Sequence, residues 1–123
     1  MKEEQQILVK ESWLEVVMTE NSVIDDYNIL KKMQFLIQKC KEIEKKGILI
    51  DATHTTRETS VLKFLELAEL IRKQSLDVRI AIVAPHLVNN DDSKTFETFS
   101  SNRGIFVRYF SEKVSAMQWL THL

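Results

Sequence analysis

The sequence predicts an α/β fold: a mixed, mostly parallel sheet of about five strands, with four helices. Short apolar runs alternate along the chain with segments whose apolar residues recur at helical spacing. The loops are short, and the residues that punctuate the chain, Gly47, Pro85 and Gly104, fall where predicted elements end. Strands that alternate with helices through short loops pair in parallel with right-handed crossovers. We therefore expect the order ββαβαβαβα within a single domain of residues 1–123.

The composition indicates a globular protein and argues against several functional classes. The chain has 123 residues, of which 44% are hydrophobic and 28% charged, and its formal net charge is -1. A protein that binds nucleic-acid phosphates or anionic lipids normally carries a basic excess, so we expect neither partner. No apolar run approaches the roughly 20 residues that span a bilayer, and the first residues do not resemble a signal peptide. With Cys40 as the one cysteine, a disulfide-free cytosolic protein is the expectation.

The first two strands are predicted to form an antiparallel hairpin. Residues 6–10 and 13–19 are rich in apolar residues. In the second run Leu14, Val16 and Met18 alternate with polar neighbours, apart from one valine, as in a strand with one covered face. Only two residues separate the runs, and so short a link favours a hairpin.

The first helix is predicted to start behind Ser22. Asp25 follows three residues later as a variant of the capping box. Gly47 suits the C′ position after the helix. Apolar residues between them recur at offsets of four, three, four and three, the period of a packed face, at Ile29, Met33, Leu36, Cys40 and Ile43.

Three more strands alternate with three more helices. Residues 48–52 form a continuous apolar run, which is typical of a strand covered on both faces. In the last helix Val114, Met117 and Leu120 are predicted to face inward, with Ala116 and Trp119 close beside them. The other strands are residues 79–85 and 105–110, and the helices run from about Arg57 to Lys73, from a cap at residues 89–91, and from a cap at Ser111.

The end of the chain resembles the end of a STAS, or SpoIIAA-like, domain. Such domains close with a helix, a glycine, a strand ending in Phe, a polar turn, and a helix that carries an Ala and a Trp-Leu pair. The matching residues here are Phe96, Gly104, Val107, Phe110, Ala116, Trp119 and Leu120. The resemblance implies a sequential strand order, with the helices gathered on one face and the other face covered by a homodimer partner or a small hydrophobic ligand.

The segment around residue 58 is similar to the phosphorylatable helix start of the same family. Its anti-sigma-factor antagonists carry Asp-Ser-Ser-Gly there, and a partner kinase phosphorylates one serine. This chain has Glu58, Thr59 and Ser60, followed by valine instead of glycine. The resemblance implies phosphorylation at Ser60 or Thr59, where the helix N-terminus and Arg57 could stabilise a phosphate. A capping box of Thr55 and Glu58 explains the same residues without phosphorylation.

A broader group of small bacterial SpoIIAA-like proteins, related in fold to the CRAL-TRIO lipid-carrying domains, often lacks the phosphorylation motif. This chain resembles that group.

A partner or ligand crevice is predicted at the carboxyl ends of the parallel strands. Asp51 and His54 follow one strand, and His86 follows its neighbour. Histidine can act as an acid or base near neutral pH, which keeps an enzyme among the hypotheses, although surface loop residues would look the same. No pair has a recognised metal-ligand spacing, so no metal site is predicted. The loop residues predicted to line the crevice with them are Thr55, Thr56, Arg57 and Glu58.

Other chemistries find no support in the sequence. Two glycines cannot build a phosphate-binding loop, and no G-x-S-x-G motif is present. Cys40 lies on the packed stripe of a helix, where cysteine usually acts as a small hydrophobe. A receiver domain would need an acidic pair after its first strand and a lysine after its last, where Phe110 and Ser111 stand. We therefore expect no cofactor and no catalytic residue.

The leading hypothesis is a non-enzymatic regulatory domain that binds a protein partner through the loop of residues 53–59 and the helix that starts near Ser60. A carrier or sensor of a small hydrophobic ligand is the second hypothesis. It predicts an apolar pocket between the sheet and the helices, lined by residues such as Phe64, Phe96 and Phe99. An enzyme that uses Asp51, His54 and His86 is the third.

Overall fold

The computed structural model describes residues 5–18, 23–24, 29–53, 56–57, 66, 69, 73, 78–102 and 106–121. The helices and strands in this part of the chain are, in order, β1 (Gln5–Val9), β2 (Leu14–Met18), β3 (Val23–Ile24), α1 (Ile29–Ile43), β4 (Gly47–Asp51), β5 (Thr56–Arg57), β6 (Arg79–Val83), α2 (Asp91–Ser101), β7 (Phe106–Phe110) and α3 (Lys113–Thr121).

A five-stranded mixed sheet organises the molecule. Its strand order is β1-β2-β4-β6-β7, with β1 antiparallel to β2 and the other neighbours parallel. The predicted α/β class, the hairpin and the mostly parallel five-stranded sheet are confirmed. Each strand of this sheet begins and ends within two residues of its predicted bounds, because short loops and apolar runs constrain it closely.

One face of the sheet packs against α1 and α2 and holds the larger core. Alternate residues of β2, β4, β6 and β7 point to this face, as the two-residue period of a strand requires. The inward stripe predicted for the first helix is confirmed wherever its side chains are described. The buried helix residues in this core are Met33, Leu36, Ile37, Cys40 and Phe96.

The opposite face of the sheet is covered by α3, which contacts β4, β6 and β7. Leu49 belongs to this second cluster while its neighbours Ile48 and Ile50 belong to the first, so the two clusters lie on opposite faces. The expectation that the helices gather on one face, leaving the other face for a dimer partner or ligand, is therefore wrong for α3. The buried members of the second cluster are Trp13, Leu49, Ala81, Val83, Phe110, Ala116 and Leu120.

The face of α3 that packs on the sheet agrees with the prediction at Leu120 and Met117 but not at Val114. Ala116 and Leu120 are buried, whereas Val114, predicted to face inward, is 62% exposed. Val114 precedes Ala116 by two positions, or about 200° around the helix, so the two cannot share a face. A Cβ on Gly47 would approach Leu120 Cδ2 to 3.2 Å and Trp13 Cβ to 3.1 Å. The absent side chain of Gly47 is what lets α3 pack this closely.

The end of α1 uses a glutamate where the sequence predicted a glycine. Glu44 has φ 57°, the left-handed conformation of a C′ residue. The N–H of Lys45 donates to Cys40 O at 3.1 Å, and the N–H of Glu44 donates to Lys41 O at 3.4 Å. This pair of bonds is a Schellman motif centred on Glu44. Gly47 instead begins β4.

The first helix also starts later than predicted. Val23–Ile24, expected behind a Ser22 cap, form β3 and pair in parallel with Thr56–Arg57 of β5. The β-branched side chains of Val and Ile favour this extended conformation over a helix start. The helix begins at Ile29 within the described residues, and the proposed cap residues lie outside them.

The second predicted helix is described at only a few positions. Arg57, its expected first residue, belongs to β5, so any helix starts after it. Most of residues 58–73 lie outside the described part of the chain. Helical backbone is described there at Glu66, Glu69 and Lys73.

Candidate functional site

Asp51 ends β4 and fixes the turn that follows it. Its Oδ1 accepts hydrogen bonds from the backbone N–H of Thr53 at 3.2 Å and from Thr53 Oγ1 at 2.7 Å. Short acidic side chains commonly bond the backbone two residues on and so direct the chain out of a strand. The half-buried carboxylate therefore has a structural task at the start of the predicted contact loop.

The other residues of the predicted crevice are only partly described. His86 is exposed in the turn after β6. Asp51 pairs with Val83 on the neighbouring strand, so the carboxyl ends of β4 and β6 lie side by side. His86 follows the end of β6 by three residues. The backbone of Thr56–Arg57 forms β5, a strand the sequence did not predict within this polar run. Convergence at this crevice stays a prediction, because the remaining members lie outside the described residues: His54, Thr55, Glu58, Thr59 and Ser60.

No metal site is found within the described part of the chain. There, no three His, Cys, Asp or Glu side chains are arranged to hold an ion. In the same residues, no helix is long and apolar enough to cross a membrane.

Cys40 is fully buried on α1, as its place on the packed stripe predicts. Its Sγ lies 3.8 Å from Gly47 O, within reach of a weak hydrogen bond. Burial raises the pKa of the Cys40 thiol from 9.0 to about 11. A thiol that stays protonated and inaccessible is a poor nucleophile.

The phenylalanines proposed for an apolar ligand pocket have packing roles where they are described. Phe96 is buried in the larger core, and Phe99 is partly buried against it. Phe64 lies outside the described residues.

A buried ion pair links β2 to the start of α3. Glu15 is only 2% exposed, and its Oε2 lies 2.6 Å from Lys113 Nζ, whose side chain is 41% exposed. Trp13 Nε1 donates to the other carboxylate oxygen at 3.2 Å. In the sequence, Glu15 looks like a solvent-facing residue of an alternating strand. It is buried because α3 packs over that face.

A surface cleft of about 630 Å³ runs along β7. Among the described strands, β7 is an edge of the sheet and pairs with β6 alone. Residues of α2 line one side of the cleft, and Trp119 of α3 reaches its other side. We refer to it as the β7 cleft, and its lining residues are Arg79, Val88, Asn89, Lys94, Glu97, Thr98, Ser101, Asn102, Phe106, Val107, Arg108, Tyr109 and Trp119.

Two arginines stack on aromatic rings in the β7 cleft. The guanidinium carbon of Arg79 lies 5.3 Å from the Trp119 ring centroid and 5.8 Å from that of Phe106. The guanidinium carbon of Arg108 lies 5.8 Å from the Trp119 ring centroid and 5.3 Å from the Phe110 ring centroid. Such cation–π contacts hold a guanidinium in place while leaving N–H groups at its edge for hydrogen bonding.

The charge of the β7 cleft is positive. Its cations are Arg79, Lys94 and Arg108, and none of the three forms an ion pair with a carboxylate among the described residues. Among the described lining residues the one carboxylate is Glu97, which accepts the backbone N–H of Tyr109 at 2.7 Å. The described lining residues therefore carry a local cationic excess in a chain whose formal net charge is -1.

Sequence reasoning missed the β7 cleft, although one signal was present. In residues 106–110 Phe, Arg and Phe occupy alternate positions and so share one face of a strand. In the sequence, Phe110 and Trp119 served as points of resemblance to STAS domains. Only the placement of α3 shows that they also border an open edge.

The sequence matches no protein-family model and no curated protein. In structure, the chain is similar to the crystal structure of an uncharacterized protein of the DUF3478 family from Shewanella loihica PV-4, which has a SpoIIAA-like fold. The TM-score is 0.60, and the match covers 94% of this chain and 93% of that chain at 18% sequence identity. The fold is SpoIIAA-like.

The expected resemblance is thereby confirmed at the level of the fold. In this SpoIIAA-like sheet, the predicted contact loop follows the carboxyl end of β4, while the β7 cleft lies along a lateral edge. The two surfaces are separate features of the same molecule.

Proposed function

We propose that the chain is a single SpoIIAA-like domain over residues 1–123 that acts without catalysis, as a regulatory module that binds a protein partner. The observation that supports this role best is the β7 cleft. Aromatic and arginine side chains are enriched in the central parts of protein interfaces. Here Arg79, Arg108 and Trp119 border an edge strand, and Phe106 is 47% exposed beside them.

The described side chains that could carry chemistry favour binding over catalysis, because most of them already have structural tasks. Asp51 fixes a turn, Cys40 is buried and protonated, and Glu15 is held in an ion pair. His86 is exposed in a turn.

Regulation by phosphorylation at Ser60 is a further part of this proposal. It rests on the resemblance of residues 58–60 to the family's phosphorylated helix start. A phosphate there would add roughly -1.5 to -2 charges to the loop of residues 53–59 and so change its affinity for a partner.

The test is affinity capture from native lysate with wild type, Ser60→Asp and Ser60→Ala, with an intact mass of each recovered chain. We expect a protein partner in near-stoichiometric amount, bound by Ser60→Ala but less by Ser60→Asp, and a phosphate on the wild-type chain. Equal capture by all three variants, with no phosphate, would remove the switch and leave the binding role. A chain that recovers no protein but carries a small molecule in native mass spectrometry would instead support the carrier hypothesis.

A further inference from the structure

We propose that the β7 cleft binds an acidic peptide segment in extended conformation, as a strand added to β7. This assignment rests on the protein-binding role proposed above and names the chemistry of the partner. Edge strands recognise extended segments through backbone hydrogen bonds, while pockets on either side select alternate side chains.

The backbone of β7 has the orientation that strand addition needs. Ala84 N donates to Phe110 O at 2.9 Å, so the backbone groups of Phe110 point toward β6. Because direction alternates along a strand, those of Val107 and Tyr109 point away from the sheet. The bond from Tyr109 N to Glu97 Oε2 confirms the outward direction. The Glu97 carboxylate occupies the position that a carbonyl of an added strand would take.

The walls of the β7 cleft suit the alternating side chains of an extended segment. On one side α2 presents Lys94 and Thr98, and on the other the sheet presents Arg108 and Phe106 beside Trp119. A strand of five residues beside β7 would extend roughly 17 Å along these walls. Its alternate side chains would meet the α2 side and the arginine-aromatic side in turn.

The positive charge of the β7 cleft indicates that the bound peptide segment is acidic. In the described lining of the β7 cleft, three cations have no ion pair with a described residue, and the one carboxylate, Glu97, already accepts a backbone N–H. An arginine fixed on a ring can donate two parallel bonds to a carboxylate, which favours Asp or Glu in the bound segment. A net charge of -1 and an outward-facing strand backbone favour an acidic peptide over nucleic acid.

Binding is measured by fluorescence anisotropy with the labelled peptide acetyl-Glu-Val-Glu-Val-Glu-Val-amide. The controls are the Lys-Val peptide, the Glu-Val peptide N-methylated at alternate backbone nitrogens, and a single-stranded oligothymidylate. N-methylation keeps the charge but removes the N–H groups that pair strands. We expect the acidic peptide to bind at least roughly tenfold more tightly than each control. The backbone amide signals of Val107 and Tyr109 should shift in the ¹⁵N correlation spectrum.

Protein variants locate the binding. Arg108 and Lys94 are both exposed. We expect Arg108→Gln and Lys94→Gln each to lower the affinity for the acidic peptide roughly five- to tenfold, because each removes a charge-assisted contact. Lys10→Gln is the matched control. Lys10 is exposed after β1, the opposite edge of the sheet, and its loss should leave the affinity unchanged.

Results other than those expected would contradict the strand addition, the peptide class or the location of the site. Equal binding of the N-methylated peptide would show an anion site only, and tighter binding of the oligothymidylate would show a nucleic-acid surface. No binding up to about 1 mM, or binding indifferent to Arg108→Gln, would remove the β7 cleft as the acidic-peptide site. If affinity capture still yields a partner whose binding ignores Arg108→Gln, only the cleft assignment fails. If it yields none, the protein-binding role fails as well.

Discussion

At the scale of single residues, the Glu15–Lys113 pair shows how unequal burial decides which partner matters more. Glu15 is 2% exposed, so its carboxylate depends on Lys113 and Trp13 for compensation. Lys113 is 41% exposed and can return to water when its partner is lost. Removing one member of a buried pair is damaging mainly because it leaves the other charge uncompensated.

We therefore predict that Lys113→Met destabilises the protein more than Glu15→Gln does. The first change leaves a buried carboxylate without its cation and should lower the free energy of unfolding by about 2 to 4 kcal/mol. The second keeps the side-chain shape and should lower it by about 1 to 2 kcal/mol. Urea denaturation at neutral pH measures both. The reverse order would contradict the burial asymmetry.

The buried thiol of Cys40 should make the stability of the folded protein depend on pH. Its pKa is raised by burial from 9.0 to about 11, so the folded state holds the thiol proton more tightly than the unfolded chain does. This contribution is fully present below pH 9.0 and is lost as the pH rises toward 11. The loss amounts to about 2 to 3 kcal/mol, because each pKa unit corresponds to about 1.4 kcal/mol.

The measurement is urea denaturation of wild type and Cys40→Ala from pH 8 to 11. Tyrosines and lysines also titrate in this range, so the informative quantity is the difference between the two proteins. Cys40→Ala is expected to be less stable at pH 8 but to lose less stability as the pH rises. Parallel curves would show that the folded and unfolded thiols titrate alike.

At the scale of elements, the end of α1 stores backbone strain in a residue that is not glycine. Glu44 adopts φ 57° at the C′ position of the Schellman motif. A side chain raises the energy of this conformation, which glycine adopts freely. The sequence predicted Gly47 for this position because glycine is common at C′. That glycine is instead required where β4 passes beneath α3.

We predict that Glu44→Gly raises the free energy of unfolding by roughly 0.5 to 1 kcal/mol, by relieving this strain. Glu42→Gly, an exposed position two residues earlier within the helix, is the control. It should destabilise the protein by about 1 kcal/mol, because glycine disfavours a helix interior. Thermal and urea denaturation of the two variants give the comparison. Destabilisation by both would show that the αL conformation is not strained.

At the scale of the whole molecule, the sheet could be predicted from the sequence, but the surfaces could not. Apolar runs and short links are local signals, and they placed the five strands of the sheet, whereas their sequential order was implied by the resemblance to STAS domains. The position of α3 has no such signal. Its apolar residues, which include Val114, Met117 and Trp119, are spread around the helix, so no single stripe indicates the sheet face it covers.

The features missed by sequence reasoning depend on that long-range packing. The strand pattern predicts an exposed Glu15, but α3 covers it. The β7 cleft forms only because α2 and α3 lie on opposite sides of the edge strand. The short β3–β5 pair also joins segments distant in sequence. Of the predicted crevice, Asp51 and His86 are placed, whereas Ser60 and its neighbours remain predictions.

Site-specific photo-crosslinking in cells tests most directly whether a protein partner occupies the β7 cleft. The photoreactive residue p-benzoyl-phenylalanine is placed at Phe106, which is 47% exposed on the cleft wall, or at Phe35, which is 52% exposed on α1. We expect one discrete protein adduct from position 106, lost when Arg108→Gln is added, and no such adduct from position 35. No adduct at position 106, or the same adducts from both positions, would contradict the account.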